Sequence, residues 1–210
     1  MAMKRFPITN VEGDLVAQYR NPDEKFYASL ELNQVAFPKT GMVVSQTPLG
    51  AVFTRQTPCE NGMWVVGDKA AGAINPPTAA TSAPIGIVYT TEKEYDDYHM
   101  GLQRFGRKVA GDYPRVGLLG VGDTVTTNCL QYNTTNFADD AALDTALKAI
   151  DTTPLYVAIH AVGQGETASA ANAVPEIVKA IPQSGIYAKI VKYYTIPNGG
   201  KGVKYQIIRI

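Results

Sequence analysis

Gly163-Gln164-Gly165-Glu166-Thr167-Ala168 has the G-x-G-x-x-A spacing of a dinucleotide-binding turn. In that chemistry the glycines let the backbone approach a pyrophosphate held at a helix N-terminus. An apolar run over 155–162 precedes the turn, and a moderately helical stretch over 170–181 and a strand over 186–196 follow it. Residues 155–196 can therefore be read as a βαβ unit of a nucleotide-using enzyme. Three features weigh against that reading. Pro175 and Pro182 stand within and just after the supposed crossover helix. The next strand carries Lys192-Tyr193-Tyr194 where an acid should meet the ribose. The rest of the chain lacks the strand–helix alternation that builds a parallel sheet. Without nucleotide, Gly163-Gln164-Gly165 is a turn after a strand, and His160 is a packed or interface histidine.

The other chemistry-bearing residues form no constellation. His99 sits between Tyr98 and Met100 in a charged stretch and reads as a surface or packing residue. Asp139, Asp140 and Asp144 lack the glycine and closing glutamate of a calcium loop, so they read as helix caps and solvated charges. Trp64 follows an Asn-Gly turn and reads as core; as an exposed ring it would be a glycan-stacking platform. Cys59 and Cys129 are far apart in sequence and are expected to be free, buried thiols. No catalytic residue, cofactor or metal is expected.

The elements that would position these residues are mostly short strands. Asn61-Gly62 is a hairpin signal followed directly by Met63-Trp64-Val65-Val66. Gly122-Asp123 is a turn, and Thr124-Val125-Thr126-Thr127 after it reads as a half-exposed strand. Met42-Val43-Val44, Ala51-Val52-Phe53-Thr54 and Ile85-Gly86-Ile87-Val88-Tyr89-Thr90 are apolar runs of the same style. Residues 139–150 are the clearest helix, with acids in the first turn, Lys148 near the end and Leu143, Leu147 and Ile150 on one face. Residues 186–210 read as a C-terminal hairpin rich in Tyr, Ile and Val. The fold class expected is mainly β: a sandwich or barrel of short antiparallel strands with one or two short helices.

Residues 1–40 differ from the rest. Their charges alternate with spaced aromatics, and Pro7, Pro22 and Pro38 exclude a long helix. We expect an extended N-terminal arm with one strand near 26–32, ahead of a β-rich domain over 41–210. Phe6, Tyr19, Phe26, Tyr27 and Phe37 are its candidate interface residues. Each buried Phe or Leu side chain is worth about 1.5–3 kcal/mol, so the arm should lie on its own body or on a neighbour.

Composition narrows the function. Of 210 residues, 45% are hydrophobic and only 18% charged, below the roughly 25% of an average soluble domain. Twelve tyrosines on a weakly charged chain fit a surface partly covered by neighbours. The 19 basic and 19 acidic residues balance, and neither sign runs in blocks. Nucleic acid and a polybasic membrane contact are therefore not expected as partners. Residues 1–10 contain no apolar signal core, so synthesis in a cytosol is expected.

The run Gly-Asp-Tyr-Pro-Arg-Val-Gly-Leu-Leu-Gly-Val-Gly-Asp-Thr-Val-Thr-Thr-Asn at 111–128 resembles the turn-and-strand style of tailed-phage head decoration, auxiliary capsid and head-fibre proteins. So does the combination of Asn61-Gly62-Met63-Trp64-Val65-Val66-Gly67-Asp68 with Pro84-Ile85-Gly86-Ile87-Val88-Tyr89. The resemblance covers roughly 41–137 and implies a non-enzymatic virion structural protein; the capsid exterior is the preferred place, and the arm and the helix at 139–150 leave a vertex or the tail open. Its partners would be the major capsid protein and copies of itself, a trimer being favoured. A glycan- or host-binding β module is the second reading.

Overall fold

A computed structural model of the chain describes residues 3–6, 43–44, 47–66, 72–78, 84–89, 107–162, 166–195 and 201–210. The strands, in order, begin with β1 (Met3–Arg5), β2 (Val43–Val44), β3 (Cys59–Glu60), β4 (Trp64–Val66) and β5 (Ile85–Val88). They continue with β6 (Arg107–Lys108), β7 (Val116–Leu118), β8 (Thr124–Thr127) and β9 (Gln131–Asn133). Helix α1 (Asp140–Lys148) follows, then β10 (Tyr156–Ala158), a 3-10 turn (Ala170–Ala173), β11 (Glu176–Val178), β12 (Tyr187–Thr195) and β13 (Lys201–Arg209). The chain is mainly β, as its β-branched, turn-punctuated sequence implies.

Seven strands form one sheet in the order β1-β9-β11-β10-β12-β13-β8, and four form a second in the order β2-β7-β5-β4. A ribbon pairs β3 with β6. Among the described strands, β9 and β11 pair parallel and the other pairs are antiparallel. Among the described strands the sheets do not close into a barrel, and residues of both share one core. Trp64, Ile85 and Ile87 of the smaller sheet pack there with Val125, Ile190 and Tyr205 of the larger one. The opposite face of the smaller sheet is also covered, because Val65, Val88 and Val116 join a second core with Phe53, Met63 and Cys129. Burial on both faces explains why Met63-Trp64-Val65-Val66 and Ile85-Gly86-Ile87-Val88 are continuous apolar runs rather than alternating ones.

Several local expectations change once partners are visible. Asn61-Gly62 does make a turn, with the Met63 amide donating to the Glu60 carbonyl at 3.3 Å. It does not close a hairpin, because β3 pairs with β6 while β4 pairs with β5. The amide of Gly62 itself donates to Val88 at 2.8 Å, which redirects the chain onto the smaller sheet. Nor is β8 half-exposed: Val125, Thr126 and Thr127 are all fully buried. The Gly62 turn sits against Thr127, on the same side of β8 as Val125, and against Cys129. Of the apolar run 51–54, Ala51 and Val52 lie in a turn and Phe53 is buried beyond it.

Helix α1 begins at its expected acid. Asp139 is the N-cap, its Oδ1 accepting from the Ala142 amide at 2.8 Å, and Leu143 and Leu147 are buried beneath. Two tyrosine hydroxyls bind the helix to the sheet: Tyr132 donates to Asp140, and Tyr193 donates to Asp144 Oδ1 at 2.6 Å. Lys148 lies 2.5 Å from the other Asp144 oxygen. These bonds from Lys148 and Tyr193 hold the Asp144 carboxyl below its ordinary pKa.

The segment 155–196 folds differently from a βαβ unit. A 3-10 turn and β11 occupy the place of the crossover helix, and β10 is antiparallel to both β11 and β12. Pro175, immediately before β11, is incompatible with a continuous helix there. Residues 163–165 themselves lie outside the described residues.

Candidate interaction surface

The C-terminal hairpin carries the most unusual surface of the described molecule. Along β12 and β13, Ala188, Ile190, Val203, Tyr205 and Ile207 are buried. The intervening Lys189, Lys204 and Gln206 occupy the opposite, outer face by the period-2 rule. Pairing is interrupted twice. Ile190 and Lys192 oppose Tyr205 and Lys204, leaving Val191 unmatched; Ala188 and Tyr187 oppose Ile207 and Arg209, leaving Ile208 unmatched. These are β-bulges, a device that re-aims side chains. Both unmatched residues are aliphatic and exposed, Val191 at 44% and Ile208 at 40%. Ile210 at 56% and Ile181 at 47% flank them, the latter beside Pro182, whose carbonyl accepts from Arg209 at 2.7 Å.

Cations surround these aliphatic groups. Segment 186–210 holds Lys189, Lys192, Lys201, Lys204 and Arg209 and no acid; Lys201 lies on the other side of the hairpin, over the Tyr193 ring. Lys192 and Lys204 are direct cross-strand partners, an arrangement that repels. Among the described residues no carboxylate pairs with Lys189, Lys192 or Lys204. Arg209 lies 4.8 Å over the Tyr187 ring and Lys192 lies 5.4 Å over the Tyr194 ring. Tyr156 meets Tyr187 edge-on at 6.0 Å. The rings hold two of the cations against the sheet, and the cations in turn cover ring faces.

Two polar clusters lie elsewhere. His160 Nδ1 lies 3.1 Å from Glu176 Oε2, and the Asn172 amide donates to the His160 carbonyl at 3.2 Å. The half-buried pair ties the 3-10 turn to β10 and β11. Deeper in, Arg5 donates to Glu60 Oε2 at 3.1 Å and lies 4.0 Å from Cys129 Sγ. Both cysteines are free and buried. Burial pushes the Cys129 thiol up to about 12 against the pull of Arg5, and pushes Cys59 well above its ordinary value. Thiolate is the reactive form, so both should resist a thiol-specific disulfide reagent while the protein is folded. Expected are no fast equivalents in buffer and two in denaturant. A fast equivalent in buffer would show that the pocket opens.

The candidate arm residues separate. Phe6 is buried in the main core, its amide donating to the Leu130 carbonyl at 2.8 Å and its ring edge-on to Tyr193 at 6.4 Å. It follows β1, an edge strand of the larger sheet, so Phe6 serves the core of its own chain. Tyr19, Phe26, Tyr27 and Phe37, the strand near 26–32 and His99 lie outside the described residues. Trp64 is fully buried, so its ring offers no glycan platform. Asp139, Asp140 and Asp144 are engaged as cap, tyrosine acceptor and lysine partner, and among the described residues no group of three metal-ligating side chains gathers. No described helix is long and apolar enough to cross a membrane. The residues that do gather on the outer face, Lys189, Val191, Lys192, Lys204 and Ile208, were not singled out by sequence. The available signal was five cations without an acid in 186–210.

No family model, curated protein or solved structure matches the chain.

Proposed function

We propose that the chain is a non-enzymatic structural protein of a tailed-phage virion, an auxiliary or decoration protein held on the outside of the capsid shell. The observation that carries this reading is the outer face of the C-terminal hairpin. Two bulges expose Val191 and Ile208 among lysines that no described carboxylate neutralises. Aliphatic groups left in water beside unneutralised charge favour a surface that a partner covers. The resemblance of 111–128 to phage head proteins supplies the kind of partner: the major capsid protein, with further copies of this chain alongside. The engaged acids, buried thiols and antiparallel 155–196 segment each have a structural role that needs no substrate.

The test is sedimentation. In a density gradient of a lysate produced from the genome that encodes this chain, it should band with particles at a fixed ratio to the shell protein. A chain found only in the soluble fraction at the top of the gradient would sink the proposal.

A further inference from the structure

The same face specifies the chemistry of what it meets, an inference that rests on the assembly reading and deepens it. We infer that the outer face of the β12–β13 hairpin docks on a polypeptide surface that presents carboxylates around an aliphatic centre.

Three observations lead there. First, the sign is uniform along the hairpin. Lys189, Lys192, Lys204 and Arg209 share the outer face, and the acid placed on that face by β11, Glu176, is engaged by His160. Lys192 and Lys204 face each other across the ladder, where like charges destabilise the isolated protein. An anionic partner relieves that repulsion. Second, the uniform sign excludes the simplest self-association. A two-fold contact sets the same patch against itself, here cation against cation. The occupant is therefore a different surface. Third, the face is not built for nucleic acid. Sequence-tolerant binding of single strands needs open ring faces on which bases stack. Arg209 lies over the Tyr187 ring and Lys192 over the Tyr194 ring, so cations already cover these faces. What projects instead is aliphatic: Val191, Ile208 and Ile210, each at least two-fifths exposed. Aliphatic groups ringed by charge fit a protein interface, whose apolar centre supplies burial and whose rim supplies charge pairing.

The face can be tested with defined probes and the full chain. One probe is a fluorescent random copolymer of glutamate and leucine; the other is a single-stranded DNA oligomer of matched negative charge. Fluorescence anisotropy gives the affinities. The copolymer should bind more tightly than the DNA and should weaken steeply between about 0.05 and 0.3 M salt. Lys192→Glu/Lys204→Glu should weaken it by about tenfold or more, since reversal adds repulsion as well as removing attraction. Val191→Asp/Ile208→Asp should also weaken it by about tenfold with every lysine retained. Lys192, Val191 and Ile208 are exposed and Lys204 is half-buried, and unchanged melting temperatures would show that the fold is intact. A Lys192→Ala/Lys204→Ala variant, which introduces no new charge, should give a smaller loss and replaces the reversal if that one fails to fold. Tighter binding to DNA than to the copolymer would overturn the inference in favour of a nucleic-acid face. So would no copolymer binding, or an affinity indifferent to Val191 and Ile208. The readout needs no particle. Copolymer binding by a chain absent from particles would fail the virion reading alone, and a particle-bound chain blind to the copolymer would fail this inference alone.

Discussion

Trp64→Ala should destabilise the chain by about 3–5 kcal/mol, the range for a large aromatic deleted from a packed core. Trp64 is fully buried where the smaller sheet faces the larger one. Its indole N–H donates to the Tyr205 hydroxyl at 3.0 Å, and the two rings meet edge-on at 5.9 Å and 75°. The substitution therefore opens a cavity and strips a buried hydroxyl of its donor, two costs that add. Burial raises the Tyr205 pKa well above the ordinary phenol value, so the hydroxyl stays neutral and no ionisation rescues it. Trp64→Phe separates the two terms. It keeps much of the volume and loses the donor, and should cost about 1–3 kcal/mol. Urea midpoints measure both. The chain has one tryptophan, so its emission reports directly on this site, blue-shifted when folded and red-shifted on unfolding. A loss below about 1 kcal/mol for Trp64→Ala would mean that the two layers are not joined there.

Gly62→Ala should cost about 2–5 kcal/mol through backbone and packing together. Gly62 has φ +92°, a conformation that a side chain strains. A methyl group there would also lie 2.5 Å from the Cys129 Cβ and 2.8 Å from the Thr127 hydroxyl. Gly122 is the matched control. It has φ +97° but nothing within 4 Å of where its Cβ would stand. Gly122→Ala should therefore cost only the backbone strain, about 1–2 kcal/mol. Equal losses at the two sites would contradict the close packing of the β3–β4 turn on β8 and Cys129.

These two positions also show where sequence stops being informative. Asn61-Gly62 marks a turn because glycine tolerates positive φ, and that property is local. Which strand each side of the turn pairs with is not local. It depends on Val88 accepting from Gly62 and on β6 lying beside β3, contacts with residues at least 26 positions away. Helix α1 and the C-terminal hairpin were legible because each satisfies most of its backbone groups within one stretch. The acids, Lys148 and the Leu143/Leu147 spacing fix the helix; the Tyr-, Ile- and Val-rich strands fix the hairpin. Segment 155–196 offered a glycine spacing compatible with a crossover, and strand direction decided otherwise: a βαβ unit needs parallel strands, and β10 and β12 run antiparallel.

The cationic outer face of the hairpin was hidden for a related reason. Its cations are separated in sequence by uncharged residues, as in Lys189-Ile190-Val191-Lys192 and Lys204-Tyr205-Gln206-Ile207-Ile208-Arg209, so they form no run. The chain's zero net charge averages them away. Antiparallel pairing gathers them by setting Lys192 opposite Lys204, and the bulges add Val191 and Ile208. The N-terminal segment shows the converse. Phe6 was a candidate for a neighbour's surface, yet β1 pairs with β9 and carries Phe6 into the core. Truncating residues 1–40 would remove an edge strand and a core side chain, so point variants on the hairpin test assembly more cleanly.

The most direct measurement is a titration of the purified chain onto capsid shells assembled without it, with bound protein quantified after sedimentation. Wild type is expected to saturate at a fixed copy number per shell subunit, and Val191→Asp/Ile208→Asp, at unchanged melting temperature, to lose that binding. Absence of saturable binding by wild type, or equal binding by the variant, would contradict the claim that this hairpin face holds the chain on a virion.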